Sequence, residues 1–112
     1  MGDRPAVEDP LAFIRQCVTA RGIYWSHHVN MRMRNRAITR RMILDTVDSY
    51  TIIESNPGDK YLPTYLVLAR SGENAFHILF ALDTAEKNVR VVTTYWPDPG
   101  RWHDNYETRK NR

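Results

Sequence analysis

Cysteine is nearly missing from this chain. The single Cys17 rules out an internal disulfide framework and a cysteine-rich zinc site, and it points to a reducing cytoplasm as the natural setting. No apolar run is long enough to span a membrane, and no leader with a small-residue cleavage end is present. The glycine-rich spacing that cradles phosphates is absent too. So are internal repeats, low-complexity tracts and linkers. His27, His28, His77, His103 and the carboxylates follow no recognised ligand spacing, so neither a metal site nor a cofactor is expected. Cys17 lies on the apolar side of an expected helix, where thiols are usually inert.

What is present is ordinary for a soluble domain. The 112 residues are 42% hydrophobic and 26% charged, which suits one domain with one core. That domain is expected over residues 1–112, with 1–8 and 109–112 fraying. The formal charge of +3 and a pI near 9.2 permit an acidic or nucleic-acid partner without demanding one.

The densest structural signal lies between Ala75 and Trp96. Two β-rich runs, Ala75–Leu82 and Val89–Trp96, flank the polar connection Asp83–Asn88, a hairpin pattern. Both runs are apolar at more positions than a strand buried on one face requires. They therefore read as central strands whose two faces are each covered by other chain. Upstream, Asp9-Pro10 caps and starts a first helix that Gly22 ends. Ile23-Tyr24-Trp25 leads into Ser26, the cap of a second helix over roughly 27–36. Thr39 caps a third helix, about 40–50, with Ile43, Leu44 and Val47 inward. Thr51–Glu54 and Thr64–Arg70 read as two more strands. Asp98-Pro99 repeats the cap-plus-proline device and predicts a last short helix carrying Trp102 and Tyr106, with Arg109–Arg112 as a basic tail. The expected fold is α+β: three N-terminal helices, a four-stranded antiparallel sheet with the helices on one face, and a short C-terminal helix. The other face or its rim is left for a partner.

Two constellations could carry chemistry. His28, Arg32 and Arg36 are spaced by four, a ridge along one helix flank that could grip a phosphate. Its ordinary alternative is a solvated flank. The ridge is expected at the sheet margin, sharing a groove with Tyr95, because Val29 and Met33 must face the sheet. The second constellation is His77 with Tyr95, the polar exceptions inside the central strands. A histidine moves protons near neutral pH, and a tyrosine can donate to an oxygen or stack on a base. The alternative is that each satisfies one local hydrogen bond.

Trp25-Ser26-His27-His28, Arg32-Met33, Arg36-Ala37-Ile38-Thr39, His77, Val92-Thr93-Thr94-Tyr95-Trp96-Pro97-Asp98-Pro99 and Trp102 together resemble a bacterial family. That family is the domain of unknown function four-two-five-eight, and the resemblance runs from about Trp25 to Lys110. The family is in turn distantly similar to the RelE/ParE toxin superfamily, whose members place helices before an antiparallel sheet. The resemblance implies a toxin of a toxin–antitoxin pair, acting as a metal-independent endoribonuclease in which the RNA 2′-hydroxyl attacks the neighbouring phosphate. It implies His28, Arg32, His77 and Tyr95 as catalytic candidates, and Arg36, Arg109 and Lys110 as RNA contacts. It also implies RNA and an antitoxin with a small zinc finger as partners. With Lys60, Lys87 and Lys110 the only lysines, the chain lacks the lysine-dense sheet of the best-known nucleases. A non-catalytic module that binds protein or nucleic acid is the competing expectation.

Overall fold

The computed structural model describes residues 7–110. The fraying expected of residues 1–6 and 111–112 lies outside the described residues. Helix α1 spans Pro10–Thr19, strand β1 Ile23–Trp25, helix α2 His27–Asn35 and helix α3 Arg40–Asp45, followed by a 3₁₀ turn at Val47–Ser49. Strands β2 (Thr51–Asn56), β3 (Thr64–Ser71), β4 (Asn74–Asp83) and β5 (Asn88–Tyr95) complete the fold. The helices start where their caps dictate. Asp9, Ser26 and Thr39 each accept the backbone N–H three residues on, satisfying donors that the first turn leaves open.

The α+β class and the central hairpin agree with the sequence, while three details differ. The sheet is five-stranded and mixed, in the order β1-β5-β4-β3-β2, because Ile23–Trp25 pairs parallel to Val89–Val91. The third helix stops at Asp45. The Thr46 hydroxyl takes the Met42 and Ile43 carbonyls, and the Tyr50 hydroxyl donates to Ile43 as well at 2.6 Å. A side chain that competes for helical carbonyls in this way ends the regular ladder. The expected C-terminal helix does not form. Arg101 and Trp102 both donate to the Asp98 carbonyl, and the chain then doubles back so that Trp102 pairs with Arg109. Among the described residues no helix is long and apolar enough to cross a membrane.

One sheet face carries the main core. Phe76, Ile78, Phe80 and Leu82 alternate along β4 and are at most 1% exposed; they pack with Val67 of β3, Val89 and Val91 of β5, and Val29 and Met33 of α2. Burial of each such side chain is worth roughly 1.5–3 kcal/mol. Residues 97–110 fold back toward the opposite face. The expectation that separate segments cover the two faces of the central strands therefore holds at this end of the sheet.

Two β-bulges decide what the second face displays. On β5 the pairing passes from Thr93–Leu79 to Val91–Phe80, leaving Val92 without a partner. On β2 it passes from Glu54–Leu66 to Ile52–Val67, leaving Ile53 unpaired. An extra residue reverses the facing of everything beyond it. Thr94 thereby turns to the helix side opposite Ile78, and Tyr95 turns outward opposite His77. Glu54 likewise turns outward opposite Leu66.

Deleting Val92 should remove the bulge and send Tyr95 into the core side. The expected result is a fall in Tm of about 10 °C or more. Val92→Ala keeps the extra residue at an exposed position and should cost less than about 1 kcal/mol. Thermal melts followed by circular dichroism check both.

Candidate functional site: a buried histidine behind an accessible tyrosine

His77 sits in the middle of β4 on the outward face, between Leu68 and Tyr95, and it is completely buried. Trp102 closes over it, edge to face, with ring centroids 4.5 Å apart. Both ring nitrogens are occupied. Nε2 lies 2.8 Å from the Tyr106 carbonyl, and Nδ1 lies 3.3 Å from the Tyr95 hydroxyl. A carbonyl can only accept, so Nε2 carries the proton and donates to it. Nδ1 is then the bare nitrogen, and the Tyr95 O–H donates to it. Tyr106 offers its carbonyl from a left-handed backbone (φ 60°), a conformation a tyrosine rarely adopts and which the surrounding structure must enforce.

The electrostatics match this tautomer. Burial holds the His77 imidazole below its ordinary 6.5, partly opposed by the Tyr106 carbonyl and the nearby Glu54 carboxylate. Near pH 7 the ring is therefore neutral. Burial also raises the Tyr95 phenol above its usual 10, so it is a neutral donor. The phenol is only half-buried and its ring opens into a cleft of about 400 Å³ lined by Tyr95, Trp96, Asp98, Arg101, Trp102 and Arg109. A second hollow of about 540 Å³ adds Gly100 and Lys110 and shares Asp98, Arg101 and Arg109 with the first. The two form one open groove.

The charges in this groove differ in availability. Arg109 is held by a two-bonded contact to Glu54 and lies 4.7 Å from the Trp102 ring centroid. The Glu54 hydrogen bond raises the pKa of its guanidinium further still. The outward-turned Glu54 therefore anchors the segment that seals His77. Arg70 adds a tie to the Asn105 carbonyl, and the Lys110 N–H donates to the Arg101 carbonyl. The Arg101 and Lys110 side chains have no hydrogen-bond partner among the described residues and are exposed. Asp98 contributes one carboxylate, whose Oδ1 accepts the Gly100 N–H.

The residues singled out in the sequence divide accordingly. His77, Tyr95, Arg109 and Lys110 come together at the groove. His77 itself reaches it only through Tyr95. Arg36 binds the Thr94 carbonyl at 2.8 Å, and its own carbonyl accepts the Trp96 indole N–H, so it braces the end of β5. His28 and Arg32 remain on the exposed side of α2; of the three ridge residues, Arg36 alone bonds to the strand that carries Tyr95. Arg101 and Glu54 were missed by sequence reasoning, and Trp96, named there within the family resemblance, was given no site role. Arg101 had a signal in its position beside Trp102. Glu54 had none, because its facing depends on a bulge. Among the described residues, no group of three or more His, Cys, Asp or Glu side chains is placed to share a metal ion.

Because the folded state disfavours the His77 proton, the unfolded chain binds more protons wherever pH lies between the two values. Stability should be level above about pH 6.5 and fall as pH drops below it, until the depressed native value is passed. Urea unfolding at a series of pH values tests this. His77→Gln should be less stable at pH 7.5 and should lose much of the decline below about pH 6.5.

No curated protein and no solved structure matches this chain. A family model described as "Domain of unknown function (DUF4258)" matches residues 25–96. The match takes in His77, Tyr95 and both bulges and ends just before the segment that carries Trp102 and Arg109. It covers well over half of the 112 residues, and the chain belongs to the DUF4258 family.

Proposed function

We propose that the groove holds the sugar-phosphate backbone of single-stranded RNA and that Tyr95 and His77 cleave it without a metal ion, in the manner of a RelE-like toxin. The observation that carries this reading is the contact of His77 Nε2 with the Tyr106 carbonyl, which leaves Nδ1 to accept from the Tyr95 hydroxyl 3.3 Å away. The phenol gives its hydrogen inward to His77 Nδ1, so its lone pairs face the groove and can accept. A ribose 2′-hydroxyl beside Tyr95 Oη would pass its proton to the phenol oxygen as the phenol passes its own to Nδ1. The 2′-oxygen then bonds to phosphorus as the bond from phosphorus to the 5′-oxygen breaks; the 5′-oxygen takes a proton from water, and the hydroxide so formed removes the proton held by His77 through Tyr95. The Tyr106 carbonyl and the Glu54 charge favour the imidazolium that results. Arg101 and Lys110 are the cations available for the phosphate, where charge develops. Products would be a 2′,3′-cyclic phosphate and a free 5′-hydroxyl.

A groove this open needs control in a cell, and a protein partner seated over Tyr95 and Arg101 would supply it. The competing reading is a binding module without chemistry. It is favoured by the complete burial of His77, which also suits a purely structural hydrogen bond.

An RNA oligonucleotide incubated with protein in excess chelator separates the two. Cleavage is expected, with a 2′-deoxy version left intact. Tyr95→Phe should bind RNA within about twofold of the parent yet cut it roughly 10²–10⁴-fold more slowly. Activity should rise with pH and level off before about pH 6.5, because only neutral His77 can accept the proton and burial holds its value below the ordinary one. RNA that binds but stays whole would leave the binding module as the function. Arg101→Ala should weaken binding by roughly 1–3 kcal/mol, the range for one charge-assisted contact.

A further inference from the structure

We infer that a longer RNA strand leaves the Tyr95 groove around Trp96 and continues along one flank of α2, with Arg32 as its phosphate contact and His28 beyond it. The inference rests on the groove reading and adds a second binding segment to it. From Pro10 to Leu44 the chain has no acidic residue and carries Arg15, Arg21, Arg32, Arg34, Arg36, Arg40 and Arg41. Most of these are committed. Arg15 binds the Asp48 and Tyr50 carbonyls, Arg21 the Val18 and Thr19 carbonyls, and Arg36 strand β5. Arg40 binds Asn30 and lies over Trp25, and Arg41 pairs with Asp45. Arg32 and Arg34 are exposed and have no partner among the described residues.

Helical geometry assigns these two different surroundings. Val29 and Met33 mark the buried side of α2. Arg32 and His28 stand on the same flank as Arg36, at four-residue steps, whereas Arg34, two positions from Arg32, stands toward the opposite flank. Arg36 is the residue that ties this flank to the groove. It holds the Thr94 carbonyl, directly before Tyr95, and its own carbonyl holds the indole of Trp96. Trp96 therefore touches both places: the residue borders the groove, and its indole N–H is fixed to the end of α2. The residue is 40% exposed and its ring is braced edge-on by Phe76, which makes it a fixed platform for one stacked base. Beyond it, each four-residue step along α2 advances about 6 Å, comparable to the length of one nucleotide in an extended strand. A cation at Arg32 then meets the phosphate that follows the stacked base. An acidic protein would be drawn by the same charge. The aligned platform and the one-nucleotide pitch are what favour a nucleic-acid strand.

Fluorescence anisotropy with uncleavable 2′-fluoro oligouridines tests this, using a trinucleotide that fills the groove and an octanucleotide that can reach α2. Arg32→Ala should weaken the octanucleotide about tenfold and lower its salt slope by about 0.7, the value for one phosphate of a single strand. It should leave the trinucleotide unchanged. Arg34→Ala, on the other flank, should leave both unchanged. The inference is overturned if Arg32→Ala affects both lengths equally, if it affects neither, or if Arg34→Ala costs as much. Displacement of the octanucleotide by polyglutamate at equal charge concentration would also overturn it, in favour of an acidic protein partner. Arg101→Ala against the trinucleotide reports on the groove alone, so failure there counts against the groove reading and is distinguishable from failure at α2.

Discussion

Everything at the groove depends on two extra residues in the sheet. Strand alternation without bulges would put Tyr95 on the helix side and Glu54 beside Tyr65, in the core. With Val92 and Ile53 unpaired, both polar side chains face outward, one on each side of the strand pair that carries His77. A β-bulge costs ladder regularity and gains a re-aimed side chain. Here the device occurs twice and serves one end. Tyr95 becomes the partner of His77, and Glu54 becomes the anchor of the segment that encloses it.

That enclosure sets the chemistry. A histidine at a sheet surface would titrate near its ordinary value, and its tautomer would be free. Trp102 over the ring and the Tyr106 carbonyl at Nε2 remove both freedoms. Desolvation then disfavours the charged form, while the carbonyl and Glu54 keep that form from being prohibitive. The imidazole is thus neutral at rest yet has a partner ready if it gains a proton. The Glu54–Arg109 pair is largely exposed, and exposed pairs alone contribute little, about 0–1 kcal/mol. Burial of Trp102 at 3% exposure is therefore the larger hold on residues 97–110, and the ion pair mainly fixes their register.

Most of the frame was legible in the sequence because it rests on local rules. Asp9, Ser26 and Thr39 were readable as caps, and the central hairpin announced itself by composition. The signals that failed were long-range or ambiguous. Ile23–Trp25 is three residues long, and its parallel pairing to β5 joins positions far apart in the chain, which no local pattern encodes. Asp98-Pro99 carries the same cap chemistry as Asp9-Pro10, yet only one turn forms, because burying Trp102 against His77 overrides the local preference. The facing of Tyr95 was invisible for a simpler reason. The register of a strand is a property of its pairing, and Val92 looks like any other β-branched strand residue. His77 and Tyr95 were legible as polar exceptions; that one is sealed behind the other was not.

The central claim is that His77 is a neutral imidazole protonated at Nε2, with Nδ1 accepting from Tyr95. Nitrogen-15 NMR of the imidazole side chains at pH 7 measures this directly. The account predicts a protonated Nε2 and a bare Nδ1 for His77, with the Nδ1 shift perturbed in Tyr95→Phe. A proton on Nδ1, or a doubly protonated ring at that pH, would contradict it.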